Sequence, residues 1–156
     1  MSTPVPIRVL ILEDNAADAE LMVGALRKAG LDVEAERVET ATEFAARLAP
    51  EPDLILSDFK LPQFGGVEAL RLVRSRGLCV PFIIVSGTIG EDVAVEAMRE
   101  GADDYLLKDR MARLGPAALQ ALEKSRLLAK MRRAEAALRE SEVRLRQIAE
   151  NVRELF

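Results

Sequence analysis

Histidine is absent from this chain of 156 residues. That excludes histidine-ligated metal sites, imidazole general bases and any phosphohistidine donor carried by the chain itself. Cysteine occurs once, as Cys79 within an apolar run, so an internal disulfide is excluded and a reducing, cytoplasmic setting is expected. Long apolar runs are lacking as well. The longest, LCVPFIIV, falls far short of a membrane span, and MSTPVPIR has neither the basic start nor the extended apolar stretch of a secretory leader, so no membrane association is expected. Charge of one sign is not in large excess: 22 basic residues against 26 acidic leave −4. From Arg126 onward there are eight basic and five acidic residues, a tail of +3 behind a body of −7. The tail mixes signs and the body would repel phosphates, which argues against nucleic acid as a partner.

What is present is 49% hydrophobic content, enough for one well-buried domain and a short appendage. Two kinds of segment alternate. Runs suited to strands occur at IRVLIL (7–12), VEAERV (33–38), LILS (54–57), FIIVS (82–86) and YLLK (105–108). Between them the periodicity predicts helices at 16–29, ending at Gly30; at 40–48, opening on a Thr-Ala-Thr-Glu cap; at 67–76, ending at Gly77; at 91–100, ending at Gly101; and from near Pro116. Five strand and helix repeats predict an α/β fold, a doubly wound five-stranded parallel sheet of flavodoxin-like form. LILS and FIIVS are apolar on successive residues, as strands covered on both faces should be, whereas VEAERV alternates and reads as an edge.

In such sheets ligands bind beyond the carboxyl ends of the strands, where strand order reverses. The polar residues collect at those ends: Glu13 and Asp14 after the first strand, Asp58 after the third, Ser86 after the fourth and Lys108 after the fifth. Each has a plainer role when taken singly. Glu13 and Asp14 could cap a helix, Asp58 its own loop, Ser86 a turn before Gly87, and Lys108 could be a surface lysine. Independent capping does not explain complementary chemistry at four strand ends in one register. Three carboxylates in one crevice repel unless a cation intervenes, and an all-oxygen set suits Mg²⁺, so the crevice reads as a magnesium-dependent phosphoryl site.

The acidic pair in LILEDN, the segment LILSDFKLPQFGG with Pro62 four residues beyond Asp58, the hydroxyl in IIVSGT and the segment GADDYLLK together resemble the receiver domain of two-component response regulators. The resemblance covers residues 5 to about 125 and assigns 1–125 to a receiver domain. It implies that Asp58 is the phosphoacceptor, taking a phosphoryl group from a histidine kinase or phosphotransfer protein. It further implies that Asp14, Asp58 and the backbone carbonyl of Lys60 hold Mg²⁺, with Glu13 acting mainly through metal-bound water. Lys108 would pair with a phosphoryl oxygen, and Ser86 with another. Ser86 and Tyr105 would relay the change to a face made by helix four, strand five and helix five. Such a chain is a phosphoaccepting switch and not an enzyme in the ordinary sense. The pattern departs from the family at Asp109, where a proline commonly follows the lysine. A cis bond there without proline would cost about 2.5–4 kcal/mol, so the isomer is left open.

Residues 126–156 carry Leu127, Met131, Ala134, Leu138, Ser141, Leu145, Ile148, Val152 and Leu155 at alternating spacings of four and three. This predicts an extended coiled-coil helix and a homodimer, with Lys130 and Glu135 at flanking positions. A single amphipathic helix folded back on the domain is the plainer alternative. The last 19 residues, LRESEVRLRQIAENVRELF, resemble the lead-in helix of a PAS domain and imply a longer parent protein. Lys60 stands where a haloacid-type phosphatase would want a second acid, and EDNAAD stands where a nucleotide-binding enzyme would want glycines. A non-signalling dimerisation module with an inert acidic pocket remains as the alternative.

Overall fold

The computed structural model describes residues 5–88 and 90–156, so the first part of MSTPVPIR, read above for a leader, and the opening residues of the 1–125 assignment lie outside the described residues. The elements run β1 (Ile7–Leu12), α1 (Ala16–Lys28), β2 (Val33–Val38), α2 (Ala41–Ala46), β3 (Leu54–Asp58), α3 (Gly66–Ser75), β4 (Phe82–Ser86), α4 (Glu91–Arg99), β5 (Asp104–Leu107), a 3-10 segment (Lys108–Arg113) and α5 (Leu114–Leu155). All strand pairs are parallel, in the order β2-β1-β3-β4-β5, which makes VEAERV an edge strand as its alternation predicts.

Strand period explains the two-sided core. Val9, Ile11, Leu54, Leu56, Ile83 and Val85 point to one face, where Met22 and Leu26 of α1 and Leu114 and Ala118 of α5 cover them. Leu10, Leu12, Ile55, Phe82 and Ile84 point to the other, against Phe44 of α2, Leu70 and Val73 of α3 and Ala97 of α4. Each large side chain buried this way stabilises the fold by roughly 1.5–3 kcal/mol relative to exposure. The core therefore holds β1, β3 and β4 rigidly at the centre of the sheet.

Helix ends follow local chemistry. Thr40 caps α2 by accepting from the Glu43 N–H at 3.2 Å. Helices α1, α3 and α4 stop at Gly30, Gly77 and Gly101, whose φ values of 95°, 75° and 104° lie where a side chain would be strained. Strand β5 ends one residue before the predicted segment: Leu107 is the last residue with a register partner, Ser86, so Lys108 opens the 3-10 segment instead of closing the strand. The 3-10 segment has no counterpart in the periodicity, and α5 begins at Leu114, two residues before Pro116. Ala49–Pro50 is the one cis bond among the described residues, which makes Lys108–Asp109 trans.

By internal contacts the chain divides into two units, Met1–Leu122 and Glu123–Phe156. The second is helical to Leu155. Among the described residues, no helix is long and apolar enough to cross a membrane.

Candidate functional site

Strand order reverses between β1 and β3, so the chain leaves these neighbours toward opposite flanks and opens a crevice at their carboxyl ends. The buried last residues of β1 deliver Glu13, itself fully buried, and exposed Asp14 to that crevice. Helix α1 starts immediately afterward because the Asn15 side chain accepts from the N–H groups of Ala17 at 2.9 Å and Asp18 at 3.1 Å. Asp58 is the buried last residue of β3. Carboxylate oxygens of Glu13, Asp14 and Asp58 lie within 4.8 Å of one another.

Behind Asp58 the loop to α3 is tightly drawn. A Cβ on Gly65 would stand 2.6 Å from the Phe59 carbonyl oxygen, so only glycine lets α3 begin this close to the strand end. The Lys60 N–H points to Asp58 Oδ1 at a long 3.4 Å, and the Lys60 residue is exposed at the crevice rim. An open groove of about 670 Å³, lined by Asp14, Phe59, Lys60, Gln63 and Arg71 among others, leads to the cluster.

Lys108 is the cation of the site. Its Nζ lies 3.1 Å from Asp58 Oδ2, 2.9 Å from Glu13 Oε2 and 2.8 Å from Asp18 Oδ2. The contacts to Asp58 and Asp18 are hydrogen bonds; the contact to Glu13 has the ion-pair distance without the alignment, which leaves Oε2 buried with no hydrogen-bond partner. Burial works against the Lys108 charge, but the bonds to Asp18, Glu13 and Asp58 outweigh it and hold the ammonium above the ordinary lysine range.

Glu13 moves the other way. Burial pushes its carboxyl from 4.5 up to about 7, with the charge of Asp58 adding to the rise, while Lys108 and the Asn15 N–H act to lower it. A carboxyl raised on folding stays protonated in the folded chain after the unfolded chain has released its proton. Its stabilising effect is therefore complete below pH 4.5 and lost as the pH climbs to about 7. Urea unfolding in chelator should show stability falling across that interval by about 1–3 kcal/mol, and Glu13→Gln should remove this contribution to the slope.

Ser86 is buried at the end of β4, one residue beyond Val85, the register partner of Asp58. Its Oγ accepts from the Thr88 N–H at 3.2 Å. A Cβ on the adjacent Gly87 would stand 4.0 Å from the Lys108 stem, so the Ser86 turn and the lysine flank the same space. Tyr105 on β5 donates its hydroxyl to the Thr88 carbonyl at 3.2 Å and meets Phe59 edge-on, with ring centroids 6.4 Å apart.

The model of the response regulator receiver domain matches residues 9–120. The chain belongs to that family. The alkaline phosphatase synthesis transcriptional regulatory protein SphR of Synechococcus elongatus is 33% identical over 109 residues, which are 65% of this chain and 42% of that protein. The receiver domain of a putative Luxo repressor protein from Vibrio parahaemolyticus superposes with a TM-score of 0.70 at 27% identity, over 81% of this chain and 98% of that one. The Mn(2+)-bound form of response regulator Rcp1 superposes with a TM-score of 0.62 at 25% identity, over 71% of this chain and 91% of that one. The chain spans less than half the length of the curated relatives it matches.

As a receiver domain the chain is a phosphoacceptor and not an ordinary enzyme. The structure gathers Glu13, Asp14, Asp58 and Lys108 directly and places Ser86 beside them through sheet register. Asp18 was missed by the sequence analysis. Its spacing of four from Asp14 puts both on one face of the first turn of α1, which was the available signal. Phe59 was missed too, because its packing on Tyr105 depends on the path of the loop after Asp58.

The donors fit a hard divalent cation: every candidate ligand is an oxygen, three are carboxylates within reach of one another, and one buried carboxylate oxygen lacks a hydrogen-bond partner.

Proposed function

We propose that this receiver is the phosphoryl-accepting switch of a two-component phosphorelay, with Asp58 as acceptor. The observation that carries this reading is the convergence of three carboxylates within 4.8 Å with the Lys108 ammonium 3.1 Å from Asp58 Oδ2. An Asp58 oxygen attacks the phosphorus of a phosphohistidine on a partner kinase or phosphotransfer protein. The P–N bond breaks, its electron pair leaves with the imidazole, and an acyl phosphate forms. The donor is necessarily external to this histidine-free sequence. Lys108 places fixed positive charge where the phosphoryl oxygens accumulate negative charge. Ser86, which accepts from Thr88, keeps its own hydroxyl proton to donate to another phosphoryl oxygen. Glu13, Asp14, Asp58 and the Lys60 carbonyl would hold Mg²⁺, whose charge offsets that of the transferring group. The printed binding of Mn(2+) by Rcp1, a relative by fold, supports a divalent site.

Tyr105 touches both sides of the site, through Thr88 on the β4–α4 loop and through Phe59 after Asp58. A shift of the Ser86 turn toward a phosphoryl group would strain or release that bond, and the change would pass to the face of α4, β5 and α5. Incubation with acetyl phosphate and Mg²⁺, followed by intact mass, tests the acceptor reading; an inert acidic pocket would leave the mass unchanged.

Residues 1–125 serve as the receiver and 126–156 as a coiled-coil linker toward a PAS-type domain of a longer parent protein. Leu127, Met131, Leu138, Leu145, Ile148 and Val152 are each at least 46% exposed and follow the heptad seam, so a second copy of the helix is the occupant we propose. Sedimentation should show a homodimer, and Leu138→Glu, which puts a charge in the seam, should weaken it by about tenfold or more while leaving Asp58 reactive.

A further inference from the structure

Resting on the acceptor reading above, we propose that Asp18 is a positioning residue for phosphoryl transfer, anchoring the Lys108 ammonium over Asp58 from the first turn of α1. An ammonium has three N–H donors, and the Lys108 Nζ has three carboxylates within 3.1 Å. Two of them change during the reaction. Asp58 becomes esterified, and Glu13 belongs to the carboxylate cluster that suits a divalent cation. Asp18 belongs to neither group and makes the shortest of the three contacts, 2.8 Å.

Its own placement is firm. The Asp18 N–H is held by the Asn15 side chain at 3.1 Å, and the next residue, Ala19, is buried in the core against the sheet. Both partners are largely shielded from water, with side-chain exposures of 19% for Lys108 and 28% for Asp18, so the pair is screened less than a surface ion pair. Lysine has a flexible four-carbon stem and gains little order from its backbone. A charged contact that persists before and after transfer keeps Nζ facing the acceptor, with no reorganisation needed when the phosphoryl group arrives. Because Nζ reaches Asp18 and Asp58 together, Asp18 supports the lysine at the acceptor and does not draw it away.

The test follows phosphorylation of the full chain by acetyl phosphate with Mg²⁺, comparing wild type, D18A, D18N, K108A and the D18A/K108A double variant. D18A should lower the rate by roughly tenfold and D18N, which keeps an acceptor oxygen without its charge, by about threefold. Mg²⁺ affinity should change less than twofold in D18A, since Asp18 lies outside the metal cluster. In the K108A background, D18A should add nothing, a coupling that a merely structural role would not produce. Equal D18A and wild-type rates, or full additivity with K108A, overturn the proposal alone. A wild-type chain that takes up no phosphoryl group overturns the acceptor reading, and this proposal with it.

Discussion

Asp58→Asn is expected to abolish phosphoryl uptake from acetyl phosphate, a loss of at least a hundredfold, while the chain stays folded. The amide matches the carboxylate in size, so the buried end of β3 and the Lys60 contact have no reason to rearrange. What disappears is the anionic oxygen that attacks phosphorus, and with it one of the three anions around Lys108. Asp18 and Glu13 still hold the ammonium, so the cation does not become an unpaired buried charge. Intact mass with and without hydroxylamine, which cleaves acyl phosphates, reads the result. A variant that still gains a hydroxylamine-sensitive phosphoryl group would assign the chemistry to another carboxylate, with exposed Asp14 the first to examine.

Removal of divalent cations should have a comparable effect. Phosphoryl uptake in excess chelator should fall by at least about a hundredfold, and Asp14→Ala should weaken Mg²⁺ binding more than tenfold by calorimetric titration. The reason is electrostatic. Two unit charges 4 Å apart interact by about 4 kcal/mol at the effective dielectric of such partly buried sites. A phosphoryl group carries close to two negative charges and must enter beside Glu13, Asp14 and Asp58, with Lys108 the one cation seen in contact with that cluster. A single ammonium already shared among three carboxylates does not offset that repulsion. Full activity in chelator would show that Lys108 alone suffices and would remove the metal from the mechanism.

Much of this arrangement was legible before the fold was known. The apolar runs LILS and FIIVS lack alternation because β3 and β4 are packed on both faces, and VEAERV alternates because β2 has a free edge. Once the strands were parallel, their ends had to lie on one side, which brought Glu13, Asp58, Ser86 and Lys108 to a common rim. Asp18 was harder to see. An acidic residue in a first helical turn is ordinarily explained by the helix dipole, and nothing in the local pattern says that a lysine 90 residues later will reach it. The 3-10 segment after β5 was hidden for a related reason: it starts where β4 ceases to offer a register partner, a property of two strands together.

Sequence alone determined the alternation of strands and helices, the edge position of β2, the glycine helix stops and the kinds of side chain available at the strand ends, because each depends on local period or on backbone freedom. Tertiary structure alone decided that one ammonium is shared by Glu13, Asp18 and Asp58, that Glu13 is buried deeply enough to hold its proton to about pH 7, and that Tyr105 bridges Thr88 and Phe59. Those outcomes depend on distances between distant segments and on how much water is excluded where they meet, and both are set only when the two faces of the sheet are packed.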